Sequence, residues 1–211
     1  MIVIGAKGFA KEVLEELLLK NETKDLVFYD DVNNNIPTKL FDEFLILKSL
    51  SDAKKYFSSI ENKFTIGIGN PTLREKLYNK FSSIGGELTS VISNKASIGS
   101  YGVTIGNGSV ILSSAQISNS TSIGKGCIVY YNAIITHDCV LGDFVEVSPN
   151  ATILGRTTIG NFTQIGANAT ILPDVTIGNN VIIGAGAVVI NDVPSNVTVV
   201  GNPAKIINHH E

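Results

Sequence analysis

From Ile105 to Val189, every sixth residue is Ile, Val or Leu, fifteen positions in succession without an exception. The residue two places before each of these, from Val103 to Ala187, is always Ala, Ser, Thr, Cys or Val. A strict six-residue period with one large aliphatic and one small inward position is the mark of a parallel β-helix, in which each unit supplies one short strand and one turn. Three units complete a triangular coil, so residues 18 apart stack. Gly recurs just after the aliphatic position at 106, 124, 142, 160, 166, 178 and 184, where a turn is expected to need a residue free of Cβ strain. Asn at 107, 119, 132, 150, 161, 168 and 179 fits turn conformations that Asn tolerates. The period breaks at Val193-Pro194-Ser195, and one seven-residue step between Ile98 and Ile105 places the first coil near Ile98.

The first 90 or so residues follow a different rhythm. Strands are expected at Met1–Ile4, Leu26–Tyr29, Phe64–Ile68 and Leu88–Ile92, and helices at Phe9–Lys20, Ser49–Ser58 and Thr72–Phe81, with a loop from Asn33 to Pro37. Alternating strands and helices imply a small parallel sheet. The fold class is therefore an α/β, Rossmann-like N-terminal domain over residues 1–92, followed by a hexapeptide β-helix over residues 93–211.

Composition narrows the partners. Hydrophobic residues are 44% and charged residues 17% of the 211, which is globular rather than disordered. A net charge of −3 and a pI near 5.6 give no footprint for nucleic acid or an anionic membrane. No apolar run approaches the roughly 18 residues needed to cross a bilayer, and no leader is apparent at Met1, so no membrane insertion and a cytoplasmic location are expected. Cys127 and Cys139 both fall on the small inward position and are expected to be buried, reduced thiols. No group of side chains calls for a metal.

Two places carry chemistry. The first is Gly5-Ala6-Lys7-Gly8, between a strand and a helix, where backbone N–H groups can meet a phosphate. It is not a full dinucleotide fingerprint, and a plain tight turn is the competing reading. Asp30 follows about 20 residues later, where a ribose would be held. The second is His137, outward at a turn, with Asp138 beside it and Gly155 one coil above. Asp138 can hold one ring nitrogen and leave the other as a base. Gly155 offers a bare N–H, and Arg156, above Asp138, competes for that carboxylate. Leu154, Leu172 and Ile190 form an outward apolar ladder above Thr136, which suggests a subunit seam with a shared site.

Taken whole, the chain resembles the bacterial sugar O/N-acyltransferases that join a Rossmann-like domain to a left-handed β-helix, a family of nucleotide-aminosugar N-acetyltransferases and sialic acid O-acetyltransferases. Three segments carry the resemblance: Ile4-Gly5-Ala6-Lys7-Gly8-Phe9-Ala10-Lys11-Glu12-Val13, Thr136-His137-Asp138-Cys139-Val140-Leu141-Gly142-Asp143-Phe144, and Val200-Gly201-Asn202-Pro203-Ala204-Lys205. The resemblance implies a homotrimer with acetyl-CoA as co-substrate between neighbouring β-helices. It implies His137 as general base, Asp138 as its orienter and the Gly155 amide facing the thioester oxygen. It implies a nucleotide sugar near Gly5, Lys7, Gly8, Asp30, Asp31, Gly69 and Asn70, and CoA near Gly155, Ala167, Ala185, Pro203 and Lys205. Many members carry a second histidine where this chain has Glu146, and glycine at the place of Lys7. The activity implied is acetyl transfer to the amine of a nucleotide-linked 4-amino-4,6-dideoxy sugar, with UDP the first nucleotide to consider. A sugar hydroxyl as acceptor, or a non-catalytic nucleotide-binding scaffold, are the alternatives.

Overall fold

The computed structural model describes residues 1–33 and 35–210; Asn34, in the expected loop 33–37, and Glu211 lie outside them. The chain divides into two compact units, Met1–Val91 and Ile92–Glu211.

The N-terminal unit is a six-stranded sheet flanked by helices. Its strands are β1 (Ile2–Ile4), β2 (Val27–Tyr29), β3 (Lys39–Leu40), β4 (Phe44–Leu47), β5 (Lys63–Ile66) and β6 (Glu87–Leu88), with helices α1 (Gly8–Leu19), α2 (Leu50–Ser59) and α3 (Pro71–Ser82). The order across the sheet is β3-β4-β2-β1-β5-β6. All neighbours are parallel except the β3–β4 hairpin. The core is aromatic: Tyr29 and Phe81 meet edge-to-face with centroids 4.8 Å apart, and Phe57 and Phe64 join them. The helix faces follow from periodicity; in α1, Ala10, Val13, Leu14 and Leu17 are buried.

The hairpin β3–β4 has no counterpart among the expected elements. Its turn holds Phe41 and Asp42 at φ +52° and +58°, a conformation that Gly or Asn would normally signal. The expected strand Leu88–Ile92 is two strands: Glu87–Leu88 extends the first sheet, while Val91–Ile92 begins a face of the β-helix beside Val110–Ile111. The helix thus starts one strand before Ile98. Ile92 is six residues ahead of Ile98 and fits the period, but a β-branched pair serves either sheet equally well.

The C-terminal unit is a left-handed parallel β-helix with faces of eight, six and five strands. Two-residue strands pair with a register of 18, as in Gln116↔Ile134 and Ile134↔Thr152. Inward Ile111, Val129, Val147 and Ile165 are fully buried in one column. Small polar inward residues bond to the coil above: Thr157 Oγ1 donates to Leu172 O at 3.2 Å and Thr163 Oγ1 to Gly178 O at 2.8 Å. The last coil shortens to Ile183↔Val199, and the antiparallel strand Lys205–His209 closes it.

The corners bear out the asparagine reading at 132, 150 and 168 and correct it at 107, 119, 161 and 179 and at the glycines one place after the aliphatic residue. The left-handed backbone falls on the third residue after each inward aliphatic from Ile105 to Ile183, including Asn132, Phe144, Asn150, Arg156, Phe162 and Asp174, with φ from +57° to +66° at these six. The glycines one place after the aliphatic residue are needed for stacking instead: a Cβ at Gly106 would lie 2.5 Å from Gly124 C, and at Gly124 2.5 Å from Gly142 C and O. Asn161 and Asn179 cap the coil beneath, their Oδ1 atoms accepting from the N–H groups of Asp143 and Asn161 at 2.7 Å. Gly124→Ala is therefore expected to destabilise the protein by about 1–3 kcal/mol, since backbone cannot step aside as a side chain can. Denaturant unfolding with a lowered midpoint and unchanged slope is the expected result; an unaltered midpoint would show that the coils part without cost.

Candidate active site

His137 stands at a corner of the β-helix, two residues after inward Ile135 on the strand Ile134–Ile135. Its side chain is 54% exposed and its Nδ1 lies 2.7 Å from Asp138 Oδ2. A carboxylate at Nδ1 favours the tautomer with its proton there and the Nε2 lone pair free. Nε2 makes no hydrogen bond to another described residue. The ring lies against Gly155 in the next coil: a Cβ there would fall 2.6 Å from Cε1 and 2.8 Å from Nε2. The Gly155 N–H, facing Pro173 in the coil above, donates to no described residue. In the corresponding corner after another face, the N–H groups of Lys125, Asp143, Asn161 and Asn179 are each taken by a side chain of the next coil, as Asp143 N–H is by Asn161. Glycine at 155 and proline at 173 thus leave one N–H vacant beside one free imidazole nitrogen.

A groove of about 480 Å³ runs along this face, lined by Ser97, Gln116, Ser118, Asn119, Thr136 and His137 among others. Thr136 Oγ1 is buried there with no hydrogen-bond partner among the described residues. Arg156 does not compete for Asp138. Its guanidinium makes a bidentate pair with Asp174, Nε to Oδ1 at 2.6 Å and Nη2 to Oδ2 at 2.7 Å, and these bonds hold the Asp174 carboxyl below its ordinary range. Of the apolar ladder, Ile190 is 45% exposed while Leu154 and Leu172 are half-buried, Leu172 packing partly on the core.

The cysteines are free and buried. Each occupies the slot a threonine or serine fills in other coils: Cys127 Sγ points to Gly142 O at 3.1 Å and Cys139 Sγ to Leu154 O at 3.4 Å. Burial pushes the Cys139 thiol up. Neither is expected to react with a thiol reagent at neutral pH until the protein is unfolded. Stoichiometric labelling of the native protein would contradict this.

In the N-terminal unit the chain passes from β1 to β2 on one side and reaches β5 on the other, so β1 and β5 meet where the strand order reverses. Beyond the carboxyl ends of such strands lies the customary ligand crevice. Gly5, at φ +105°, sits there; a Cβ on it would meet Gly67 O at 2.9 Å. Gly8 opens α1 with space around it, and the Lys7 side chain does not cap the helix. Lys7 Nζ donates to Asn33 Oδ1, and Asn33 in turn donates through Nδ2 to Asp30 at 2.9 Å. Asp31 accepts from Tyr29 Oη and from Lys80 Nζ, both at 2.8 Å. Burial opposes ionisation of Asp31, but the bonds from Lys80 and Tyr29 hold its carboxyl below the usual range, while burial and Asp31 push the Tyr29 hydroxyl up. Asn70 caps α3, its Oδ1 accepting from Leu73 N–H at 2.9 Å, and Gly69 O accepts from Arg74. Two hollows of about 710 and 630 Å³ open elsewhere on this unit and include none of these residues.

The PglD N-terminal domain family matches residues 1–81, and the bacterial transferase hexapeptide family (six repeats) matches residues 156–191. Among solved structures, the acetyltransferase domain of PglB from Neisseria gonorrhoeae FA1090 shares 32% identity over 98% of each chain with a TM-score of 0.90. The chain belongs to the bacterial sugar acyltransferase family. Perosamine N-acetyltransferase from Caulobacter crescentus, in complex with CoA and GDP-perosamine, is similar at 28% identity over 98% of this chain and 96% of that one, TM-score 0.90. WeeI from Acinetobacter baumannii AYE shares 31% identity over 98% of each chain, TM-score 0.75. No curated protein matches the sequence.

In this sugar acyltransferase, Ala167 and Ala185 stack one coil apart on a corner, half-buried and exposed respectively. Pro203 and Lys205 are exposed in the closing segment, where the Asn202–Pro203 peptide is cis. Glu146 is half-buried on a face of the β-helix, paired in register with Ile128 and Gln164. Lys80 and Arg74 escaped the sequence reading. Arg74 left a signal: on α3 it shares a buried face with Pro71 and Phe81, an unusual place for a charge. No described helix is long and apolar enough to cross a membrane, and no described cluster of side chains could hold a metal ion.

Proposed function

We propose that this sugar acyltransferase moves acetyl from acetyl-CoA to the amine of a nucleotide-linked 4-amino-4,6-dideoxy sugar by direct transfer. The observation that carries the reading is the free Nε2 of an Asp138-held His137 beside the vacant N–H of Gly155. The neutral amine attacks the thioester carbonyl carbon while Nε2 takes its proton. The Gly155 N–H meets the oxyanion that develops. Collapse breaks the C–S bond, and the imidazolium returns its proton to the departing CoA thiolate, leaving an amide. His137 starts and ends neutral, and Asp138 keeps its tautomer throughout.

Acetyl-CoA is assigned to the corner bearing Ala167 and Ala185. A methyl group is the most these positions project, and a Cβ at neighbouring Gly186 would find open space. Lys205 supplies a cation for the nucleotide end. The nucleotide sugar is assigned to Gly5, Lys7, Gly8, Asp30, Asp31, Gly69 and Asn70. Backbone N–H groups at the start of α1 and the Lys7 ammonium suit a diphosphate; the carboxylates suit ribose or base. The Caulobacter relative, bound to CoA and GDP-perosamine, supports an amine acceptor. The functional unit is a homotrimer with acetyl-CoA between neighbouring β-helices, consistent with the partly exposed ladder of Leu154, Leu172 and Ile190.

The test is thiol release from acetyl-CoA with a panel of UDP-, dTDP- and GDP-linked amino sugars, with mass spectrometry of the product. A hydroxylamine-stable product 42 mass units heavier (about the mass of an added acetyl group, the chemistry of acyl transfer) is expected. A labile ester would move the acceptor to a hydroxyl, as in sialic acid. Nucleotide binding without thiol release from any acceptor would leave a scaffold. Light scattering reads the assembly.

A further inference from the structure

One column of the β-helix carries alternating charge. Asp138, Arg156 and Asp174 stack 18 residues apart at equivalent left-handed corner positions, with φ of +59°, +62° and +66°. Coils repeat every roughly 4.8 Å, so the Arg156 side chain can reach down to Asp138 as readily as up to Asp174. It reaches up, forming the bidentate pair with Asp174. Asp138 is thereby left to His137 Nδ1 at 2.7 Å.

We infer that Asp174 is a positioning residue for the transfer: by holding the Arg156 guanidinium, it keeps Asp138 on His137. This rests on His137 being the base. Without the Asp174 carboxylate, the guanidinium has Asp138 as its nearest anion one coil away. A forked, charged donor outcompetes a single N–H of a neutral imidazole. Asp138 then turns to Arg156, and His137 loses both the partner that fixes its tautomer and the anion that supports its imidazolium. The other groups around His137 do not replace it. Asn119 and Ser120 below are uncharged, Cys139 is buried and neutral, and Asp192 higher in the column is engaged by the Thr176 N–H at 2.7 Å.

The test is the tautomer of His137, read from the nitrogen-15 shifts of Nδ1 and Nε2 in the neutral ring and assigned with His137→Ala, in the wild type, in Asp174→Asn and in Asp174→Asn/Arg156→Gln. In Asp174→Asn the signature of a proton held on Nδ1 is expected to give way to a mixture of the two tautomers as Asp138 leaves the ring. With the transferase substrates, kcat/KM should drop roughly tenfold as the base loses its orientation. Removing the guanidinium in the double variant should return both readings to within about twofold of wild type, a coupling that independent sites do not show. A His137 tautomer unmoved by Asp174→Asn overturns the inference, as does a loss that Arg156→Gln fails to reverse. The nitrogen shifts are readable whether or not an acceptor is turned over. Activity surviving in His137→Ala would instead sink the base assignment.

Discussion

His137→Ala is expected to lower kcat by about 10²–10⁴-fold, the usual contribution of a positioned general base. KM for acetyl-CoA should stay near its wild-type value, because, of the residues assigned to CoA, only Gly155 adjoins the ring, through a backbone N–H that the substitution leaves in place, and the proposed work of the imidazole is on the acceptor proton. The ring is 54% exposed and packs on a glycine, so its removal leaves no core cavity and the unfolding midpoint should hold. The neighbouring side chains offer no substitute. Asp138 points at the vacated Nδ1 position, Arg156 is committed to Asp174, and Cys139 is buried with its thiol pushed up. A variant with wild-type kcat across pH would remove His137 from the chemistry and leave the Gly155 amide and proximity to explain the rate.

The rungs of the β-helix are legible in the sequence because their inward residues touch their own equivalents 18 positions away, so one choice is enforced in every coil. The corners are legible only where Asn or Gly holds the left-handed place, as at Asn132, Asn150 and Asn168. Elsewhere that residue is Phe at 144 and 162, Arg at 156 and Asp at 138 and 174, and none of these but Asp favours that conformation locally; stacking of the coils imposes it. The flat pair of Phe144 and Phe162, 5.6 Å apart with rings inclined by 3°, follows from the register and has no local signal. Likewise the β3–β4 hairpin turns on Phe41-Asp42 where Asn-Gly would have announced it. At the site, the His137–Asp138 contact is legible because the two are adjacent, and the place of Gly155 because the period is strict. The partner of Arg156 is not, since Asp138 below and Asp174 above are equivalent in spacing. Lys80 reaches Asp31 from 49 residues away, a relation no local spacing encodes, whereas Arg74 turns back to Gly69 at the start of its own helix.

Gly155→Ala separates positioning from folding at the same corner. The added methyl must displace the imidazole, because 2.6 Å from Cε1 and 2.8 Å from Nε2 are distances real Cβ atoms do not keep. The backbone at 155 lies outside the left-handed region, so alanine is not strained there, and the exposed ring can swing away. Stability should therefore change by no more than about 1 kcal/mol, with the loss of unfolded-chain freedom offsetting part of any cost. Catalysis should suffer far more. The displaced ring breaks its geometry with Asp138, and the methyl crowds the N–H proposed to meet the oxyanion, a donor whose loss alone typically costs about 10²–10³-fold. The two routes come apart in a double-variant cycle. If the methyl acts only by moving the ring, Gly155→Ala should cost nothing further in a His137→Ala background. If it also blocks the N–H, a second loss of about tenfold or more should remain there, since an oxyanion needs its donor whichever group takes the proton. Wild-type kcat in Gly155→Ala alone would mean that neither the ring's seat nor the amide takes part, and the reading of this corner as the reacting centre would fall.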